Sequence, residues 1–572
     1  MRSKTFIKNT GAAVFFIGVC ALAICFAPDA KQDWPGGHWY SIVPPLLAIL
    51  LAFLTRHIML SLGAAIVVGG FLSTVPRAPF SGTAWWAGAK TVGVYVADAI
   101  SSQTNLQILA FVPPIFAMVV IVEASGGFNG LIRWVLKWIK GRKSAQAATA
   151  FLGTLYFIDD YSNTMIVGSM MRSVTDRFRV SREKLAFLVD ATSAPICGLA
   201  VISTWIAYEV GLFTEAAQRL GIDQNGYSMF FDALCFRFYC VLMIFFVFLH
   251  VLLASDFGPM KRAEELMKVN GRPSEASGPS SNAGTRVKGR AATALIPLAG
   301  LVIFHIVGLW FDGGGPGKLG DVGSLYSWVY WREVIGNADS SIFVLDCAAS
   351  FGLLLAIVCA RLFEAIGFSV ILRCLWLGLK RSVIPCMILV LAWSLKNCCD
   401  GLKTGEFLTS VLAEKCSPQW FGPVLFLVAS LTSFATGTSW GTMAILIPVA
   451  VPIAFALDGN SYGLTTMISL GAVLDGAIFG DHCSPISDTT ILSSTASGCP
   501  LMRHVRTQLP YSLFVAFLAL TCGYLISSFG IKSRWCILLG VSVMTCLLLA
   551  ITWHQRAKNC ADNLELPHQG TG

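Results

Sequence analysis

Charge is what this sequence lacks. Only 13% of its 572 residues are Asp, Glu, Lys or Arg, 55% are hydrophobic, and the mean hydropathy is +0.68. A soluble domain carries about a quarter charged residues, so a water-soluble enzyme is excluded and a polytopic membrane protein is indicated. The net charge of +9 fits that class without any nucleic-acid partner, because excess Lys and Arg gather in cytoplasmic loops and orient the helices. A Walker A sequence is missing, which argues against an ATP-driven pump, and so is the H-E-x-x-H pattern of metalloproteases. The 18 Cys have no zinc-type spacing. Most sit in apolar stretches (Cys20, Cys235, Cys240, Cys347, Cys522, Cys546), where they serve as small hydrophobes rather than a disulfide framework.

What is present is apolar helix. Runs approaching the roughly 20 residues that cross a bilayer fall at 10–27, 40–54, 57–75, 106–124, 145–171, 185–210, 231–254, 291–311, 342–360, 382–399, 421–457, 464–495, 509–529 and 535–553. The first, with Arg2, Lys4 and Lys8 ahead of it, resembles a signal peptide but reads as a retained helix. Basic clusters at Arg2–Lys8, Arg133–Lys143, Arg172–Lys184, Lys261–Arg290, Arg361–Arg381 and Arg503–Arg506 belong in the cytoplasm. Segment 145–171 has such a cluster on both sides, so it is expected to enter and leave on one face. Segment 421–457 is long enough to go in and back from the opposite face. The expected fold is all-α, with about twelve crossings, two re-entrant hairpins and both termini cytoplasmic.

The expected organisation is an N-terminal helix and loop over 1–39, a first half over 40–254, and a second half over 291–555. A Ser-, Pro- and Gly-rich flexible linker, 255–290, separates the halves, and a cytoplasmic tail covers 556–572. The halves repeat each other. Tyr161–Val167 in the first hairpin lines up with Ser439–Ile445 in the second, and Ser193-Ala194-Pro195-Ile196 lines up with Ser484-Pro485-Ile486 in the segment that follows each. An odd number of crossings between the units makes them inverted, an arrangement whose sites lie near the bilayer midplane. Pro195 and Pro485 cannot donate intrahelical hydrogen bonds, so 185–210 and 464–495 are expected to be broken helices.

Polar residues in these segments are expensive in lipid and mark ion pathways. The candidates are Asp159, Asp160, Ser162, Asn163 and Thr164 in the first hairpin, and Asp190 and Ser193 in the first broken helix. The second hairpin offers Thr438, Ser439 and Thr442. The second broken helix offers Asp481, His482, Ser487, Asp488 and Thr489, with Asp475 a capping or bridging alternative. Carboxylates, hydroxyls, amides and freed carbonyls are the hard oxygen ligands that sodium takes. Asp160, Asn163, Asp488 and Thr489 are the expected sodium ligands, and His482 is expected either to carry a proton or, as the preferred reading, to orient Asp481. A carboxylate in low dielectric holds its proton more tightly, so one group accepts either ion by turns. The string Gly437-Thr438-Ser439-Trp440-Gly441 matches G-x-S-x-G but lies in an apolar hairpin, not in the strand–turn–helix context a hydrolase needs.

Phe479-Gly480-Asp481-His482-Cys483-Ser484-Pro485-Ile486-Ser487-Asp488-Thr489-Thr490 resembles the signature of the NhaC-type sodium/proton antiporters. Phe157–Tyr161, Gly437–Thr442 and Ser181–Ala186 resemble its companion motifs. The resemblance covers roughly residues 40–555 and implies an ion-transporter-superfamily fold of two inverted repeats. It also implies exchange of sodium for protons with no cofactor, in the cytoplasmic membrane, and a homodimer is a further expectation. Related carriers place Ser-Asn-Thr at their hairpin tips. Ser162-Asn163-Thr164 matches such a tip; Trp440-Gly441-Thr442 does not. Members of the family also exchange malate for lactate or carry amino acids, so a coupled organic-acid or amino-acid carrier is the alternative.

Overall fold

Leu, Ile, Val, Phe and Ala dominate the chain, and the structure is correspondingly helical, with no strand among the described residues. The computed structural model describes residues 38–564 apart from 56, 129, 131–136, 202, 271–288, 319–329, 332–333, 335–337, 339, 405–406, 408–416 and 486. The expected N-terminal helix at 10–27 therefore lies outside the described residues. Setting single turns aside, the helices begin with α1 Val43–Thr55, α2 Ile58–Leu72, α3 Gly82–Ser101, α4 Gln103–Ala124, α5 Arg142–Leu155, α6 Asp160–Arg177 and α7 Arg182–Ala191. They continue with α8 Ile206–Leu220, α9 Gly226–Leu234, α10 Phe238–Leu253, α11 Gly258–Asn270, α12 Ala292–Asp312, α13 Ser341–Glu364 and α14 Phe368–Gly401. The last are α15 Pro418–Thr436, α16 Ser439–Leu457, α17 Leu464–Cys483, α18 Asp488–Ser497, α19 Leu501–Leu518 and α20 Ser533–Leu564. Among the described residues nine helices are long and apolar enough to cross a membrane.

The helices associate in two groups. Helices α2, α3 and α4 pack on the long α14, and α12 and α13 pack on each other, α13 also against α4. The second group brings α5, α6 and α7 together with α18 and α19, with α17 between α15 and α16. Helix α8, touching both α4 and α16, and α14, touching α16, join the two. The most intimate pairing is α15 on α17, and glycine is the reason. A Cβ on Gly476 would lie 2.6 Å from the Phe426 carbonyl oxygen, and one on Gly480 would lie 2.3 Å from that of Ser430. Gly476 and Gly480 are four apart, the small-xxx-small spacing that lets helices approach in lipid.

Two segments differ from the sequence-based expectation. Residues 82–101 form a helix that hydropathy did not single out, since Lys90, Asp98 and its Ser, Thr and Gly residues dilute its apolar content. The expected flexible linker begins instead with helix α11, whose Met260, Ala263, Glu264 and Met267 are buried. The cause is amphipathicity: those residues recur every three or four positions and face α7 and α19. Glu264 makes an ion pair with Arg142 and accepts a hydrogen bond from the Ser181 backbone N–H at 2.7 Å. Residues 271–288 lie outside the described part. The expected tail is helical as far as Leu564 within α20. After Leu518, helix α19 widens into a π turn, Ala519–Tyr524.

Candidate ion-binding site

Four helix interruptions build the site. The first separates α5 from α6 at 156–159, and the second splits 192–205, where one turn, Ala194–Cys197, stands between α7 and α8. The third is the bend between α15 and α16. There Gly437 takes a left-handed conformation at φ +69 and donates its N–H to the Ser433 carbonyl at 2.7 Å, while the Thr438 hydroxyl caps α16 by accepting from the Gly441 N–H at 3.3 Å. Glycine ends one helix and threonine starts the next, which accounts for the Gly437-Thr438 pair without any nucleophile. In the fourth, 484–487, Ser484 is extended ahead of Pro485, and Asp488 opens α18, where an acid suits the positive end of the helix.

Asn163 fastens the first two interruptions together. Its Nδ2 lies 2.8 Å from the Gly153 carbonyl oxygen, 3.0 Å from that of Tyr156 and 3.1 Å from that of Thr192. The side-chain oxygen Oδ1 is buried and has no partner. The Thr204 N–H donates to the Ile158 carbonyl at 2.8 Å, and the Thr204 hydroxyl lies 3.5 Å from Asp159 Oδ1. Asp160, buried at the start of α6, accepts the Tyr161 N–H at 3.0 Å.

The second pair of interruptions closes over the first. The Ser439 hydroxyl, at the start of α16, donates to Asp481 Oδ2 at 3.2 Å. Trp440 stacks on Tyr208 with centroids 4.5 Å apart, and the Tyr208 hydroxyl donates to the Trp440 carbonyl. Helix α18 packs along α6, close enough that a Cβ on Gly168 would lie 2.7 Å from that of Ala496. As a result the charges of Asp159, Asp160, Asp481 and Asp488 all act on Tyr161, and those of Asp159 and Asp481 act on Asp160. Asp159, Asp160 and Asp481 are buried, whereas Asp488 is exposed beside Tyr161.

The remaining candidates are more dispersed. The Thr164 hydroxyl donates to the Asp160 carbonyl at 2.6 Å and that of Thr442 to the Thr438 carbonyl at 2.9 Å. Ser193 donates to the Asp190 carbonyl at 2.9 Å, and the Ser487 and Thr489 hydroxyls meet at 2.9 Å. The side chain of Ser162 lies outside the described residues. Asp190 accepts from Gln508 Nε2 at 2.9 Å and lies 3.0 Å from His504 Nε2, while its charge also acts on Asp481. His482 does not orient Asp481. Its Nδ1 lies 2.8 Å from the Tyr239 hydroxyl, and its Nε2 has no partner. The next residue along a helix is turned by about 100°, so His482 and Asp481 face different neighbours.

Among the described residues no set of three His, Cys, Asp or Glu is placed to hold a metal ion. The oxygens gathered here are of mixed type: carboxylates, the Asn163 amide, the Ser439 hydroxyl and carbonyls at helix ends. That mixture suits a weakly held, hard monovalent cation better than a resident transition metal.

A profile described as the Na+/H+ antiporter family matches residues 196–529. The chain belongs to that family. An uncharacterised protein of Haemophilus influenzae is 32% identical over 87% of this chain and 92% of its own length. The Na+/H+ antiporter NhaC of Alkalihalophilus pseudofirmus is 28% identical over 32% of this chain and 40% of its own. A malate-2H+/Na+-lactate antiporter of Bacillus subtilis is 38% identical over 18% of this chain and 20% of its own. The fold is similar to that of the Alcanivorax borkumensis YdaH transporter, with a TM-score of 0.56, 13% identity, and coverage of 86% of this chain and 99% of that one.

In this antiporter the sequence did not reveal several site neighbours. Tyr208 lies within a span already rich in aromatics, and His504 is paired with a residue 314 positions away. Arg237 left one signal, a lone cation in an apolar run. It is wholly buried, with Nε 2.9 Å from Asp475 Oδ1 and Nη1 3.4 Å from Glu209 Oε1.

Proposed function

We propose that this antiporter exchanges sodium for protons at Asp160 and Asp481, with Asp159 and Asp488 adding negative charge. Asn163 Oδ1 and the hydroxyls of Thr164, Ser439 and Thr442 complete the oxygen set, with Ser487 and Thr489 at the Asp488 edge. Sodium neutralises the cluster in one phase of the cycle, and protons on the same carboxylates neutralise it in the other. The observation that carries this reading is the meeting of three buried aspartates from both halves of the chain, Asp159 and Asp160 at the first interruption and Asp481 beside the fourth. Alternating access follows from movement of the interrupted helices against the rest of the bundle. The protein is assigned to the cytoplasmic membrane with both termini inside, on the basis of its basic clusters.

A carrier of organic anions needs a cation free to meet them. Among the described residues the two fully buried cations, Arg237 and Lys184, are each paired, Arg237 with Asp475 and Glu209 and Lys184 with Asp256. This supports plain ion exchange over the organic-acid alternative.

The test is internal pH in proteoliposomes on addition of sodium, comparing wild type with Asp160→Asn and Asp481→Asn. Sodium-driven proton movement without organic solute, lost in both variants, is the expected result. Proton movement only when malate, lactate or an amino acid is supplied would replace this reading with the coupled carrier. Normal exchange in both variants would leave the function standing and the site wrong.

A further inference from the structure

A second group of charges lies behind the site. Arg237 caps α10, Glu209 is on α8 and Asp475 is in the middle of α17, and all three side chains are shut off from solvent. Asp475 is fully served. Its Oδ1 meets Arg237 Nε at 2.9 Å, and its Oδ2 accepts the Tyr239 N–H at 2.6 Å and the Tyr524 hydroxyl at 2.7 Å. Glu209 is not: Oε1 has only the 3.4 Å contact with Arg237, and Oε2 is buried without a partner.

Two carboxylates share one guanidinium, which leaves one negative charge uncompensated. A buried unpaired charge is among the least tolerable features in a low-dielectric interior. Among the described residues, the helices packed on α8 offer Glu209 no further cation; Arg219, on α8 itself, is paired with Asp400, and His482, on α17, lies against the Tyr239 hydroxyl. Helix α16 contains no charged residue, α4 contains only Glu123, paired with Arg381, and α9 contributes Asp232 and Tyr227. Cys240 Sγ lies 3.7 Å from Arg237 Nη2. On the other side, a Cβ on Gly198 would lie 2.5 Å from Arg237 Nη2, so the guanidinium rests directly on the interrupted segment after α7. Cys197, one residue earlier, feels the charges of Asp159 and Asp160.

We infer that Glu209 is a second proton-binding group of the exchanger, taking a proton at Oε2 that the sodium-binding aspartates do not carry. Protonated, it leaves a neutral Arg237–Asp475 pair. Deprotonated, it draws the guanidinium away from Asp475 and alters what the interrupted segment rests on. The proton thus acts on the ion site through Arg237 and the backbone at Gly198, without Glu209 touching sodium.

This inference rests on sodium/proton exchange, and the experiment separates the two. Radioactive sodium flux and proton flux are measured in the same proteoliposomes across a pH series, for wild type, Glu209→Gln, Glu209→Asp and Asp160→Asn. Glutamine mimics the protonated acid and leaves Arg237 paired with Asp475, so folding should be kept. The expected result for Glu209→Gln is sodium-for-sodium exchange within about twofold of wild type, with fewer protons moved per sodium and a flattened pH profile, while Glu209→Asp recovers both. A wild-type ratio and pH profile in Glu209→Gln would make Glu209 a structural acid and overturn the inference. Loss of sodium-for-sodium exchange in Glu209→Gln, or its failure to fold, would also overturn it, since the charged form would then be needed throughout. Absence of sodium-driven proton flux in wild type would instead remove the exchange reading itself.

Discussion

The hydroxyl of Ser439 donates to the carboxylate of Asp481 at 3.2 Å, tying the first residue of α16 to the last turn of α17. It links the second hairpin bend to the second broken helix, beside the bond from the Ser433 hydroxyl to the Ala477 carbonyl. A hydrogen bond to a charged group contributes about 1.5 kcal/mol or more, roughly tenfold in an equilibrium. Ser439→Ala should raise the sodium concentration for half-maximal exchange by about that factor, with Ser439→Thr closer to wild type. Unchanged sodium dependence in Ser439→Ala would detach this hydroxyl from the ion site.

Asn163 is the residue whose loss should be most visible in stability. Its amide nitrogen serves three carbonyl oxygens at the ends of α5 and α7. Leaving buried acceptors without a donor costs about 1–3 kcal/mol. Asn163→Leu should lower the melting temperature in detergent by several degrees. Asn163→Asp should do so more strongly, because it turns an acceptor toward three acceptors.

Glycine supplies a paired comparison. Gly480→Ala forces a methyl to 2.3 Å from the Ser430 carbonyl, whereas Gly63→Ala on α2 meets nothing within 4 Å. Overpacking of this kind costs about 1–3 kcal/mol. The Gly480 variant should lose folded protein on heating well before the Gly63 variant, which should match wild type. Equal stabilities would mean that α15 and α17 can part without cost.

Helix α11 is held by Glu264 through Arg142 and the Ser181 backbone. Glu264→Ala removes these contacts together with the 3.4 Å one from Gln146 Nε2, and leaves a buried N–H unserved. Amide hydrogen exchange over 258–270 should quicken in that variant while α17 stays protected. No change would show that the apolar residues of α11 alone secure it.

Much of this arrangement was legible because its cause is local. Pro485 and Pro195 each break a helix by their own geometry, so two interruptions are visible in a linear reading, whereas the bend at Gly437-Thr438 is expected there only from the length of 421–457. Partner choice is different, because it is decided by packing between distant segments. Asp475 meets an arginine 238 residues earlier, and His482 turns to Tyr239 and not to its neighbour Asp481. Helix α3 was passed over because Lys90 and Asp98 lower the average that hydropathy depends on, and α11 because a Ser- and Pro-rich stretch follows it. In both, the pattern of burial outweighs mean composition.

The π turn at Ala519–Tyr524 fixes a phase. Such a turn accommodates one residue more than an α-helix does, and each residue advances a helix by about 100°. Tyr524 closes that turn with its hydroxyl 2.7 Å from Asp475 Oδ2 and 3.1 Å from the carbonyls of Gly471 and Phe236. Shorten the chain by one residue within 519–523 and the rod becomes regular, but the phenol swings to another side of it. The buried charges thus depend on a count: one surplus residue, contributing little by its own chemistry, sets which way a tyrosine points.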